Sequence, residues 1–301
     1  RAGEASGTDR RSSDGGNALT NSACRALIVN LAPTGAVADA GKNAAVPISA
    51  DAIVADVRAC ARLGVAMAHL HVRDEEGRPS CDPQRFRNLI DCIRATPEGR
   101  DLVLCVTTSG RHGQTLEQRA AVLELEKPAK PDMASLTLGS LNFATGASVN
   151  SPDTVRFLAR RMVERGIKPE LEVFDLGMIH FAKILIRESL IRPPFYFNLL
   201  LGNVAGAQAS LNDVAALVNN LPAESIWTLD GIGRSQKPAM GLGCVTAPGV
   251  RIGLEDNLWS DVENRIPATN PSLVGWLSGL ARAYGRPLAS TAEVRSMLAL
   301  N

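Results

Sequence analysis

From Ala26 onward the chain alternates short apolar, β-branched runs with longer stretches whose apolar residues recur every three or four positions. The runs are ALIVNLA (26–32), VAMAHLHV (65–72), LVLCVTT (102–108), MASLTLGS (133–140), ELEVFDL (170–176), FYFNLLLG (195–202), SIWTLDGI (225–232) and VRIGLED (250–256). The stretches between them open with helix-start signals. Ser49 precedes a segment in which Ile53, Val54, Val57 and Cys60 share a helical face, and Thr115 with Gln118 three residues on spells a capping box. Ser151-Pro152-Asp153 supplies a cap, a proline for the first helical position and an early acid. Further helices are expected from about Ile179, Asn212, Pro238 and Pro271, and a last one over Thr291–Leu300 behind a second capping box, Ser290 with Glu293.

Strands that alternate with helices imply a parallel sheet, because each crossover between parallel strands needs a covering segment. Eight such units fit an α/β fold of the (β/α)8 (TIM) barrel type, with an extra C-terminal helix, better than an open doubly wound sheet. No G-x-G-x-x-G follows the first run, which also counts against a dinucleotide-binding sheet. No linker-like shift in composition occurs after residue 25, so residues 26–301 read as one barrel domain. Residues 1–25 are rich in Gly, Ser, Asn and charge and nearly lack large apolar side chains, so they read as a disordered extension. That stretch has no apolar core of a secretory signal, and Glu4, Asp9 and Asp14 argue against a transit peptide.

Composition narrows the function. Of 301 residues, 32 are Lys or Arg and 31 are Asp or Glu, a net charge of +1 that gives no basic excess for a nucleic acid. No window resembles a membrane span. The six cysteines, Cys24, Cys60, Cys81, Cys92, Cys105 and Cys244, are scattered without C-x-x-C, as reduced thiols of a cytoplasmic protein are.

In a barrel of this type the chemistry belongs at the C-terminal ends of the strands. The second run ends His69-Leu70-His71, and residues two apart on a strand face the same way, so both imidazoles enter one space. The eighth run ends in Glu255-Asp256, next to the first and second strands once the ring closes. Two imidazoles and a carboxylate form a catalytic metal shell with an open position, which makes His69, His71 and Glu255 the candidate ligands and Asp256 a candidate base. Thr107, Thr108 and Ser135 offer hydroxyls for a substrate carboxylate, and Arg234 offers a partner for an anion or carboxylate. None of the six lysines lies within a strand run, which disfavours Schiff-base chemistry.

APTGA (32–36), HLHVRD (69–74), TTSG (107–110), LGSLNF (138–143), IKPELEVFDLGM (167–178), GIGRSQ (231–236) and GLEDN (253–257) resemble, in order, the β-keto acid cleavage enzymes, which include the 3-keto-5-aminohexanoate cleavage enzyme. The resemblance implies a zinc-dependent barrel, one ion per chain, that reacts a β-keto acid with acetyl-CoA to give acetoacetate and a new acyl-CoA. It implies His69, His71 and Glu255 as metal ligands and Asp256, paired with Arg234, as general base. Thr107 and Ser135 would hold the substrate carboxylate. It further implies a homodimer or homotetramer. Where the aminohexanoate enzyme has a glutamate facing the substrate amine, this chain has Val37, so an uncharged tail is expected over an aminated one, with Glu172 the other acid that could serve an amine. Alternatives from other classes are a CoA-independent metal hydrolase or lyase and a barrel that binds a metabolite without catalysis. The identity of the keto acid and the residues that bind CoA do not follow from the sequence.

Overall fold

A computed structural model of the protein describes residues 26–300 apart from 112 and 145; the extension expected to be disordered, 1–25, lies outside the described residues. Eight parallel strands close into a barrel: β1 (Ile28–Leu31), β2 (Met67–Leu70), β3 (Val103–Val106), β4 (Met133–Thr137), β5 (Lys168–Val173), β6 (Phe195–Leu201), β7 (Ser225–Gly231) and β8 (Gly249–Ile252). Neighbours in the ring are neighbours in the chain. The ring closes where β1 pairs with β8, Ile28 opposite Gly249 and Asn30 opposite Arg251. Each expected apolar run overlaps one of these strands, although β5 begins at Lys168, two residues before its run, and β8 at Gly249, one residue before.

Nine α-helices occur among the described residues: α1 (Ala50–Ala61), α2 (Pro83–Arg94), α3 (Leu116–Ala120), α4 (Pro152–Arg165), α5 (Leu176–Arg187), α6 (Leu211–Asn220), α7 (Gln236–Thr246), α8 (Asn270–Ala283) and α9 (Thr291–Met297). The caps explain their starts. Ser49 accepts from the Ala52 N–H, Ser151 from Thr154, and the Thr115–Gln118 and Ser290–Glu293 boxes are both closed. Helix α5 begins three residues before Ile179 because Asp175 caps it through the Met178 N–H. Helix α2 was passed over in the sequence, although Asp82-Pro83 repeats the cap-proline signal and Phe86, Leu89, Ile90 and Ile93 bury one face.

The barrel interior has two zones. At the N-terminal end Ile28, Met67, Val103, Met133 and Tyr196 form an apolar floor, sealed from below by Val294 and Leu298 around α9. Moving two residues along each strand keeps the inward direction and turns the lining polar: Asn30, His69, Cys105, Ser135, Asn198 and Arg251 are all buried. The floor thus positions a polar site at the mouth. Among the described residues no helix is long and apolar enough to cross a membrane.

Candidate active site

Strand β2 delivers its two imidazoles one above the other. His69 Nδ1 lies 2.6 Å from Glu170 Oε2 on β5, so Nδ1 donates to the carboxylate and Nε2 is turned toward His71. Glu170 is itself fixed by Asn30 Nδ2 at 2.8 Å on its other oxygen, and by the Cys105 thiol at 3.3 Å. Burial works to raise the Glu170 carboxyl, but His69 and Arg251 outweigh it and hold the group down at about 2. Burial pushes His71 down, toward the neutral imidazole.

His69 Nε2 and His71 Nε2 face each other at 3.2 Å, and Glu255 Oε1 stands 3.4 Å from the second and 4.0 Å from the first. All three ligand atoms fall within 4.8 Å of one another. Glu255 Oε2 is buried without a hydrogen-bond partner. Two imidazole nitrogens turned toward one another beside a carboxylate with an orphaned oxygen fit a divalent cation, which would satisfy all three side chains at once. His69, Cys105 and Glu170 also cluster, but they are already bonded to one another through the Glu170 carboxylate. The approach of Glu255 depends on Gly35, whose φ is +62°; any Cβ there would collide with the Glu255 side chain.

The base candidate has a different partner from the one expected. Asp256 Oδ2 is 3.2 Å from Arg251 Nε, whereas Arg234 is exposed in a short 3-10 turn, Gly233–Ser235. The paired cation is Arg251, fully buried on β8, which also reaches Glu255 Oε1 at 2.7 Å, Asp230 at 3.5 Å and Glu172 at 3.5 Å. The reversal is geometric. The chain turns back after Gly253, with the Asp256 and Asn257 N–H groups both donating to the Gly253 carbonyl, and this folds the acids over the arginine that precedes them. Burial pushes the Asp256 carboxyl up to about 6; Arg251 opposes that and Glu255 adds to it. A carboxylate poised there is ionised at neutral pH yet basic enough to take a proton. Burial, with repulsion from Asp256, also holds Asp230 well above the usual carboxylate range.

A cavity of about 520 Å³ opens over these groups, lined by His71, Thr107, Glu172, Arg251, Glu255 and Asp256 among others. Val37 sits in its wall, 48% exposed. Thr108, expected to bind substrate, is instead committed to the barrel: its hydroxyl donates to the Ser135 carbonyl at 2.6 Å, and its N–H to Ser135 Oγ at 3.2 Å. Thr107 and Thr108 lie just past the end of β3, and the loop turns the second against β4. Ser135 is buried behind the cavity wall and tied to the same backbone. Glu170, Arg251 and Asp230 were overlooked in the sequence. The available signal was a charge within an otherwise apolar strand run, which must point to a partner or to the barrel mouth.

Fold and site together define a (β/α)8 barrel enzyme with a buried carboxylate–arginine pair at its mouth, beside three side chains that could hold a cation. The model of the beta-keto acid cleavage enzyme family matches residues 26–300, and the chain belongs to that family. It is 34% identical over 278 residues to a 3-keto-5-aminohexanoate cleavage enzyme of Acetoanaerobium sticklandii, covering 91% of this chain and 98% of that one. It is 35% identical over 277 residues to a 3-oxoadipate:acetyl-CoA acetyltransferase of Cupriavidus necator, covering 91% and 94%. Among solved structures, apo ObcA superposes with a TM-score of 0.74 at 21% identity, covering 85% of this chain and 66% of that one, which is a likeness of fold.

Proposed function

We propose that this chain condenses a β-keto acid with acetyl-CoA and releases acetoacetate and a new acyl-CoA, by Claisen and retro-Claisen chemistry. The observation that carries the reading is the Arg251–Asp256 pair at 3.2 Å, with Asp256 following Glu255, whose Oε1 lies 3.4 Å from His71 Nε2. The names of relatives support it: one is an acetyl-CoA acetyltransferase acting on a 3-oxo acid, another a cleavage enzyme for a 3-keto acid.

His69, His71 and Glu255 would hold one divalent ion per chain, zinc by the choice of two nitrogens and a carboxylate. When bound, it supplies Lewis-acid polarisation of the substrate ketone. Asp256 removes the proton from the carbon between ketone and carboxylate, and Arg251 keeps that base ionised and aimed. Thr107 hydrogen-bonds the substrate carboxylate from the end of β3, with Ser135 bracing the strand beside it. Glu170 fixes the His69 tautomer, so Nε2 and not Nδ1 faces the ligand space. A cytoplasmic compartment is part of the same reading, supported by cysteines scattered as reduced thiols are. A homodimer or homotetramer is part of the same reading, and the mass in solution checks it.

The deciding experiment incubates the purified protein with a panel of β-keto acids, with and without acetyl-CoA, and follows acetoacetate and metal content. Acetoacetate that forms only with acetyl-CoA, at about one metal per chain, is the expected result. Consumption of keto acid without acetyl-CoA would sink the transferase reading in favour of a lyase or hydrolase.

A further inference from the structure

Two arginines follow β3, and their circumstances differ. Arg119 is buried and saturated: its Nε donates to the Thr108 carbonyl at 2.7 Å and its Nη2 to Asn150 at 2.6 Å. It braces the loop. Arg111 lines the active-site cavity, its guanidinium carbon 3.5 Å from the centroid of the Phe143 ring. Its Nε is buried without a hydrogen-bond partner, and it enters no ion pair among the described residues.

The nearby acids are engaged elsewhere. Glu255 and Asp256 pair with Arg251, while Glu172 accepts from Thr137 Oγ1 at 2.6 Å and faces Arg251. Burial disfavours the charge on Arg111, and Glu255, Glu172 and Asp256 only partly offset it. A half-buried cation without an anion of its own is a cost to the free protein that an anionic ligand would remove. Stacking on Phe143 holds the guanidinium plane and leaves its fork open, the geometry that suits a carboxylate.

We propose that Arg111 is the anion receptor of this cavity, its guanidinium binding a carboxylate of the keto acid and disfavouring a cationic tail. The inference rests on the β-keto acid reading above. The carboxylate has two possible sources: the one beside the ketone, since Thr107 and Arg111 share a loop, or a second one at the far end of a keto diacid.

Calorimetry on the metal-loaded protein separates these with matched pairs: acetoacetate against acetoacetamide, and 3-oxoadipate against 3-oxohexanoate, each on wild type and Arg111→Met. Methionine keeps an apolar contact with Phe143 and removes the charge; Arg111→Lys restores charge without the fork. If the near carboxylate is read, Arg111→Met weakens acetoacetate about 10- to 100-fold and leaves acetoacetamide unchanged, with lysine recovering part of the loss. If the far carboxylate is read, acetoacetate is unchanged and 3-oxoadipate falls to the level of 3-oxohexanoate. Unchanged affinity for both acids, an equal loss for acetoacetamide, or a loss confined to acetyl-CoA each overturns the proposal. Binding is read without turnover, so a protein that binds acids through Arg111 yet forms no acetoacetate refutes the reaction and leaves the receptor standing.

Discussion

The floor and the mouth of this barrel come from the same strands, two residues apart, and are stabilised in opposite ways. At the floor Ile28, Met67, Val103 and Met133 are buried against one another and against α9, so burial itself is the favourable term. At the mouth, burial is the unfavourable term for nearly every group. Asp256 and Asp230 are driven up, and Glu170 and Glu255 stay ionised only because cations sit beside them. Arg251 alone faces four carboxylates. The lesson is that the floor carries stability and the mouth spends some of it on groups aimed at a ligand.

Removing Arg251 tests that division most severely. Arg251→Met leaves clustered acids without their cation and should cost about 3–5 kcal/mol in denaturant unfolding, with turnover abolished. An unchanged midpoint would show that the acids are neutralised by something else. Asp256→Asn should separate function from stability. Turnover should fall about 10²–10⁴-fold with metal content intact. The unfolding midpoint at pH 7 should not fall, because burial and Glu255 already disfavour that charge; near-normal turnover would place the base elsewhere.

The floor should answer in the reverse sense. Met133→Ala should cost about 2–5 kcal/mol of stability and leave kcat/KM within about twofold, since it packs in the floor, one layer below the ligand groups, with Cys105 its neighbour across the strands. A selective loss of activity at full stability would erase the distinction between the zones. The smallest effect is expected at the rim. Val37→Glu introduces an anion beside the ligand space and should shift the kcat/KM ratio of aminated over uncharged keto acids upward by roughly 10-fold. A wild type that already favours the amine would remove Val37 as selector and point to Glu172.

The eight strands were legible because buried parallel strands are apolar on both faces and leave runs that loops do not imitate. Helix α2 was harder: its segment is dominated by polar residues, and its face emerges only when Phe86, Leu89, Ile90 and Ile93 are counted together. His69, His71 and Glu255 could be grouped because ring closure makes the last strand a neighbour of the first. The partner of Asp256 could not. The resemblance pointed to Arg234, and the turn at Gly253 brings Arg251 to Asp256 instead. The commitment of Thr108 to Ser135 could not be read either, because both threonines follow the end of β3, where the loop decides which way each points. Arg111 left no sequence signal, because its meaning comes from what it lacks in three dimensions.

The closing pair of strands has a consequence for how the molecule assembles. The two imidazoles come from β2 alone, but Glu255 reaches them across the closing pair of β1 and β8, past Gly35. Contacts of such long sequence separation form late. A cation that needs all three donors would therefore gain full affinity only at the final step, and its capture would act as a latch on the completed ring rather than as a nucleus for it.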